Sequence, residues 1–378
     1  MWYTTCTDAV PRTPSTVLCQ PVAVANLETW QRKADQHGKA VRPHFKAHKT
    51  LALSRTQLDQ GAVGFEVSRL REIEWIIREG LMADFVLSWI HIKPDLWQRV
   101  AELVYQGHRI TVDVDSIELA AGYAAAAERC SVVLPVRVQV DSGLRGCDEG
   151  AVFALCAMIA RSPHLELTGL TAYRSIYTRA EERNWLPFDV LGRNEAELLV
   201  GLRDRLHQAG FGEDIRILCG STAVTRGALA VEGVDEVAGA SYVLADWGLA
   251  QIGVCATQDI AVGVVATVTS NVGGIVTIDA GADVFGRWDP YPGIAEPVAA
   301  ATPNGRVLFD KMEANSTSSK PVDGPVPAVG SRLFVYPGQV CELVNVPGEF
   351  LVVDHGGDIT DAWPRLSTGY YSSTDPVI

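Results

Sequence analysis

Val41-Arg42-Pro43-His44-Phe45-Lys46-Ala47-His48-Lys49-Thr50 begins as a short β-compatible run and turns basic at its end. A helical pattern, Val22 to His37, precedes it. Val41 to Lys46 is the first of eight such runs; the others are Ala62 to Ser68, Asp84 to Ile90, Arg109 to Asp115, Val132 to Asp141, Glu166 to Tyr173, Ile215 to Gly220 and Glu236 to Asp246. Helical patterns fill the intervals, among them Leu70 to Glu79, Leu96 to Tyr105, Ile117 to Arg129, Gly150 to Arg161, Glu195 to Gln208 and Ala223 to Val231. In the first of these, Leu70, Ile73, Ile76 and Ile77 recur at helical spacing, with Arg71, Glu72, Glu74 and Arg78 largely opposite. Near-continuously apolar strands, each followed by a helix, imply a parallel sheet covered on both faces. Eight units between residues 22 and 246 therefore predict an α/β fold, a (β/α)8 TIM barrel. The doubly wound open sheet is the runner-up, but no G-x-G-x-x-G follows the first run and no P-loop occurs.

Past Asp246 the texture changes. Strand-like segments Ile260 to Val268, Gly274 to Asp279, Arg332 to Val335, Cys341 to Val346 and Phe350 to Asp354 stand between turn clusters, which predicts an antiparallel β domain. The expected division is a barrel over residues 22–246 and a β domain from residues 1–21 plus 247–378. The Pro/Gly/Ser-rich stretch Trp288 to Pro327 reads as one long loop.

Of 378 residues, 32 are Lys or Arg and 45 are Asp or Glu, a formal net charge of −13. Such acidity repels phosphate backbones and anionic lipid, so nucleic acid and membranes are poor partners. At 47% hydrophobic and 20% charged, the chain can bury a large core and does not read as disordered. No apolar run reaches the roughly 18 residues of a membrane span. Met1 to Gln20 lacks a basic start followed by an apolar stretch, and a cytoplasmic location is the default expectation. The eight cysteines are dispersed without a C-x-x-C pair and read as reduced thiols, several of them small core residues.

Lysine is scarce: Lys33, Lys39, Lys46, Lys49, Lys93, Lys311 and Lys320 complete the set. Lys46 closes the first barrel run, and barrels of this kind carry their active sites at the carboxyl ends of strands. Arg42 and Lys49 lie close in sequence; like charges and partial burial depress a lysine pKa, as a nucleophilic or basic amine requires. A salt-bridged loop lysine is the ordinary alternative. The seventh run ends Leu218-Cys219-Gly220-Ser221-Thr222 and turns into a helix, where small residues and a helix start offer donors to a phosphate. A plain N-cap is the other reading of that turn.

The stretch R-P-H-F-K-A-H-K-T, Arg42 to Thr50, resembles the R-P-H-x-K-T-H-K signature of fold-type III pyridoxal phosphate enzymes, the alanine racemase-like barrels related to D-threonine aldolase and D-serine dehydratase. Thr13-Pro14, Asn26, Gln57, Gly61, Ala62 and, near the C-terminus, Trp363-Pro364 fit the same pattern. The resemblance implies pyridoxal 5'-phosphate as cofactor, with Lys46 as its Schiff-base lysine. It implies that Gly220, Ser221 and Thr222 hold the phosphate together with Ala240-Ser241-Tyr242, and that Tyr173 lies near the cofactor. Val140-Asp141-Ser142-Gly143-Leu144-Arg145-Gly146-Cys147 is similar to the family's D-x-G-x-x-R-x-G turn, whose arginine faces the cofactor ring, but is one residue short. Either Arg145 takes that place after a deletion or Gly146 stands there instead. A small amino-acid substrate and a homodimer, with the active site near the interface, are implied as well.

Tyr336-Pro337-Gly338-Gln339-Val340-Cys341 departs from the family's P-N-H-x-C metal site: the cysteine is kept and Gln339 replaces the histidine. An amide is a poor zinc ligand beside imidazole. The family's E-H-G element reads Glu313-Ala314-Asn315, and His355 reads as a surface turn residue, so no metal is expected. Without a metal on a β-hydroxyl, the first expectation is epimerisation or racemisation of a polar amino acid at its α carbon. Lys46 would serve one face and Cys341 the other, with His44, His48 and Tyr173 as competitors for the second acid/base. An inert buried thiol is the other reading of Cys341. The alternatives are D-threonine aldolase-like retro-aldol cleavage or D-serine dehydratase-like elimination of a β-hydroxy D-amino acid, with Gln339 and Cys341 holding the hydroxyl. A non-catalytic pyridoxal phosphate carrier ranks last, because a long segment follows the barrel. Ser175 to Phe188, with Tyr177, Arg179, Arg183 and Trp185, reads as a lid or specificity loop suited to a large, anionic or ring-bearing substrate.

Overall fold

The computed structural model describes residues 2–174, 187–212, 214–287, 291, 294 and 297–366. Residues 175–186 of the expected lid lie outside the described residues. Helix α1 (Trp2–Ala9), strand β1 (Ser15–Cys19) and helix α2 (Gln20–Gln36) open the chain. Eight strands follow: β2 (Ala40–Pro43), β3 (Phe65–Val67), β4 (Asp84–Leu87), β5 (Arg109–Val114), β6 (Leu134–Val140), β7 (Leu165–Ala172), β8 (Arg216–Cys219) and β9 (Glu236–Gly239). Helices α3 (Leu51–Asp59), α4 (Leu70–Arg78), α5 (Pro94–Tyr105), α6 (Ile117–Cys130), α7 (Glu149–Arg161), α8 (Phe188–Gln208) and the short α9 (Thr225–Leu229) alternate with them.

The strands pair in parallel in the order β2-β9-β8-β7-β6-β5-β4-β3. A parallel bridge from His44 to Glu66 and the bond from Val63 N–H to Val41 O, 3.0 Å, bring the first and last strands of that order together. The expected (β/α)8 barrel is the observed one. Helix α4, packed on β3, turns an apolar stripe inward and buries Leu70, Ile73 and Ile76. Its start is capped by its own Glu72, whose carboxylate accepts from Ser68 N–H at 2.9 Å and Arg69 N–H at 3.0 Å.

The barrel interior is not purely apolar. Arg137 on β6 donates to Glu236 on β9 at 3.1 Å with β7 and β8 between the two strands, a contact that only the interior permits. Arg42 on β2 grips the same carboxylate, its Nε at 2.6 Å, and reaches Asp84 at 3.1 Å. Burial alone would raise the Glu236 carboxyl, yet Arg42, Arg137 and Arg216 pull it down to about 2. Asp113, the register partner of Arg137, has both carboxyl oxygens buried without a hydrogen-bond partner. Burial, with Glu66 beside it, pushes this group up to about 8.

The last predicted barrel run stops early: strand ends at Gly239, and Ser241 to Leu244 form a turn. Tyr242, Val243 and Leu244 are apolar because they pack into the core of the β-rich unit, together with Leu18, Val264 and Phe350. That unit continues with α10 (Trp247–Gln251), β10 (Val262–Ser270), β11 (Ile275–Ile278), α11 (Ala282–Phe285), β12 (Ala300–Ala301), β13 (Leu308–Met312), β14 (Thr317–Pro321), β15 (Arg332–Pro337), α12 (Val340–Leu343), β16 (Gly348–Val353) and β17 (Ile359–Arg365). Its nine strands run β11-β14-β13-β12-β15-β10-β1-β16-β17, all antiparallel except the β1 and β16 pair. Two expectations are corrected here. Trp288 to Pro327 is not one loop, since β12, β13 and β14 lie within it. Cys341 to Val346 is not a strand: α12 occupies its start, because Asp246 accepts the Val340 N–H at 3.0 Å and Val344 N–H returns to Val340 O at 3.1 Å.

By contacts the chain divides into two compact units. One holds residues up to Trp30, Lys46–Thr56 and residues from Ser241 onward; the other holds Gln31–Phe45 and Gln57–Ala240. Among the described residues no helix is long and apolar enough to cross a membrane.

Candidate active site

In the β-rich unit, the single 3-10 turn Phe45–Ala47 that follows β2 carries Lys46. Of the ten residues Val41 to Thr50, Lys46 alone is half-buried and the other nine are buried. The neighbouring cations are held by partners of their own. Lys49 is buried, sits at φ 51 and donates to Asn345 Oδ1 at 2.5 Å, while its carbonyl receives Leu366 N–H at 2.8 Å. Arg42 is spent on Glu236 and Asp84. His48 is fully buried, its Nδ1 accepting from Thr50 N–H at 3.3 Å, a contact that shapes the turn.

Cys341 Sγ lies 3.3 Å from Ser241 Oγ. Burial pushes the thiol above its ordinary range; the Lys46 ammonium and the Ser241 hydroxyl oppose that shift, while Asp246 and Glu342 add to it. The turn that carries Cys341 is anchored by Asp246, a fully buried carboxylate that sequence reading passed over. It accepts from Leu249 N–H at 2.7 Å, Tyr291 Oη–H at 2.9 Å and Val340 N–H at 3.0 Å. Burial moves Asp246 up to about 6, against these donors. Tyr242 stacks on Trp30, ring centroids 4.3 Å apart. Asn26 holds the same turn, its amide donating to Val243 O at 3.0 Å and Asp259 O at 2.7 Å.

Gln339 precedes α12 with its side-chain oxygen buried. Glu313, Ala314 and Asn315 form the exposed turn between β13 and β14. His355 is exposed, in a turn whose Asp354 accepts from Gly356, Gly357 and Asp358 N–H groups. Among the described residues no three His, Cys, Asp or Glu side chains gather as a metal cage.

In the barrel unit, His44 Nε2 lies 3.2 Å from Ser68 Oγ, and His91 Nε2 lies 2.9 Å from Ser68 O, beyond the ends of β2, β3 and β4. Arg145 settles over two rings, 4.5 Å from the Trp89 centroid and 5.3 Å from that of Tyr173, and its Nη2 donates to Ser88 O at 3.4 Å. Its position follows from Gly146, at φ +118, where a Cβ would stand 2.4 Å from Val140 C. That glycine lets the loop fold back so that Asp141 N–H meets Cys147 O, and Cys147 N–H meets Gln139 O, both at 2.9 Å. The shortened turn thus presents Arg145 beyond the ends of β4, β6 and β7.

Gly220 (φ +99) turns the chain sharply after β8, where a Cβ would lie 2.7 Å from Thr225 Oγ1. Thr222 Oγ1 accepts from Ala240 N–H at 3.1 Å, which ties this turn to the residue before Ser241. Ser221 Oγ donates to Arg174 O at 3.1 Å.

These residues fit pyridoxal phosphate. Arg145 Nε is buried without a hydrogen-bond partner, a donor suited to a ring nitrogen. A glycine turn bearing two hydroxyls suits a phosphate; in the β-rich unit, Lys46 is a half-buried residue.

The family model for the alanine racemase N-terminal domain matches residues 23–238. The chain is 26% identical over 276 residues to the D-threo-3-hydroxyaspartate dehydratase of Delftia sp. (strain HT23), covering 71% of each chain. It is 31% identical over 177 residues to the D-threonine aldolase of Arthrobacter sp, covering 45% of this chain and 46% of that one. With the D-serine dehydratase of Dictyostelium discoideum it shares 22% identity over 385 residues, 93% of this chain and 95% of that one. The structure of the Delftia enzyme superposes with a TM-score of 0.84 at 23% identity, covering 95% of this chain and 98% of that chain.

Proposed function

The chain belongs to the alanine racemase N-terminal domain family, whose relatives here depend on pyridoxal phosphate, and from that premise we propose a lyase acting on an amino acid with a hydroxyl on its β carbon. The bond broken is Cα–Cβ or Cβ–O. Lys46 carries the reading: it is the half-buried residue in an otherwise buried stretch. The three relatives support the choice of reaction, since they are named for elimination or aldol cleavage of D-threo-3-hydroxyaspartate, D-threonine and D-serine. Epimerisation, the first expectation from sequence, gives way to its alternative.

When bound, pyridoxal phosphate supplies an electron sink for the substrate's α carbon. Lys46 would hold the cofactor and would serve as the proton-transfer group at that carbon. The Ser221 and Thr222 hydroxyls, with Gly220 shaping their turn and Ser241 assisting, would hold the phosphate, and Arg145, beside Tyr173, would offer its Nε donor to the ring. Cys341, whose thiol burial pushes above its ordinary range and which lies 3.3 Å from Ser241 Oγ, would orient the β-oxygen by hydrogen bonding. His44 steadies the end of β2 through Ser68. Gln339 brings an amide where the family pattern has imidazole, so the reaction is proposed to run without a metal, and this same observation favours epimerisation as the second reading.

One experiment separates the two. A panel of β-hydroxy D-amino acids is incubated with holoenzyme in deuterium oxide, and products are followed by NMR. Release of an aldehyde or of ammonia supports the lyase; deuterium at the α carbon with neither product released supports epimerisation. Loss of turnover in chelator, restored by zinc or manganese, would overturn the metal-free assignment. The same proposal includes a homodimer, which sedimentation equilibrium tests.

A further inference from the structure

Glu195 is a fully buried carboxylate on the outer helix α8, and no step above uses it. Its two oxygens are divided between two loops. Oε1 accepts from Gly220 N–H at 2.8 Å, at the start of the turn after β8, and Oε2 accepts from Ser142 Oγ at 2.8 Å, in the loop that presents Arg145. Arg174, at the end of β7, closes the group: it donates to Ser142 O, its own carbonyl receives Ser221 Oγ–H, and its charge faces Glu195. Three strand-end loops therefore meet on one side chain that enters from outside the barrel wall.

We propose that Glu195 is the positioning residue for the cofactor's phosphate turn, holding Gly220 to Thr222 at a fixed place relative to the Arg145 loop. This rests on the pyridoxal phosphate reading above. Glu195 takes the peptide N–H of Gly220, a residue at a left-handed φ, and so fixes the turn at its first residue, ahead of the bonds that Ser221 O makes within it. Burial raises the Glu195 carboxyl above its ordinary range, while the Ser142 and Gly220 donors and the nearby Arg174 oppose that shift.

The test titrates apoprotein with pyridoxal 5'-phosphate and, separately, with pyridoxal, which lacks the phosphate, following the cofactor absorption band. Glu195→Ala removes both hydrogen bonds and should weaken pyridoxal phosphate binding on the order of tenfold to a hundredfold, while pyridoxal binding, which loses only the steadying of the Arg145 loop, weakens much less. Glu195→Gln keeps an acceptor for Gly220 N–H and should restore phosphate discrimination to within a few-fold of wild type. If Glu195→Ala fails to fold, Glu195→Asp, too short to span both donors, should show the same selective loss. Equal weakening toward both ligands, or no weakening toward either, overturns the proposal. Absence of any cofactor band in the wild type instead overturns the reading on which it rests.

Discussion

At the scale of single residues, Lys46 stands out by position: just past the carboxyl end of the first barrel strand, in a chain with seven lysines. Its neighbours have partners that local sequence does not show. Arg42 and Lys49 look like free cations in sequence, but their partners, Glu236 and Asn345, come from distant parts of the chain. Lys46→Ala should abolish the cofactor absorption band and lower turnover by at least about 10²–10⁴-fold, while the circular dichroism spectrum stays native. Glu236 gives a second prediction at this scale. Glu236→Ala leaves Arg42 and Arg137 buried without their shared counter-charge, and should cost about 3–5 kcal/mol of stability, read as a lower denaturant midpoint. A cost near zero would mean that water replaces the carboxylate in the barrel interior.

At the scale of elements, the strand-end loops were harder to read than the strands. Val340 to Leu343 carries valine and leucine in a β-compatible order, and its local sequence favours strand. It becomes a helical turn because Asp246, some ninety residues earlier, takes its first N–H, which no local pattern reveals. The Arg145 loop shows the converse. Its one-residue shortening left two candidates open in sequence; the structure shows Gly146 packed against the Val140 backbone and Arg145 lying over the Trp89 and Tyr173 rings, an arrangement that supports the Arg145 proposal. Asp246→Ala should strand the Leu249 and Val340 N–H groups and the Tyr291 hydroxyl, at a cost of roughly 1–3 kcal/mol. It should also loosen α12 enough that iodoacetamide modifies Cys341 faster than in wild type, as peptide mapping would show. Unchanged labelling would mean that packing of Val340 and Leu343, not the carboxylate, sets the turn.

For the whole molecule, all eight barrel strands were legible because apolar runs separated by amphipathic helices admit few other folds. The charged layer inside the barrel was not, since only closure brings Arg137 on β6 to Glu236 on β9. That layer gives the protein an unusual stability profile. Asp113 and Asp246 are pushed up to about 8 and about 6 from an ordinary 3.8, so the native state keeps protons that the unfolded chain releases. Their contributions are fully present below the ordinary value and are lost as pH rises through about 6 and then about 8. Glu236, pulled from 4.5 to about 2, has the opposite sign: its contribution is present above 4.5 and lost as pH falls toward 2. The net charge of −13 adds self-repulsion at neutral and higher pH. These three groups together favour the acidic side of neutrality, their combined contribution falling from the ordinary carboxylate range up to about 8. Thermal unfolding across that range should show Tm falling as pH rises from about 6 to about 8. In Asp113→Asn, which keeps the shape and removes the buried ionisation, that fall should flatten, leaving the variant more stable than wild type above about 8. A wild-type Tm that climbs steadily from the acidic side to the alkaline side would sink this assignment, because it would require Asp113 to fold as a paired carboxylate.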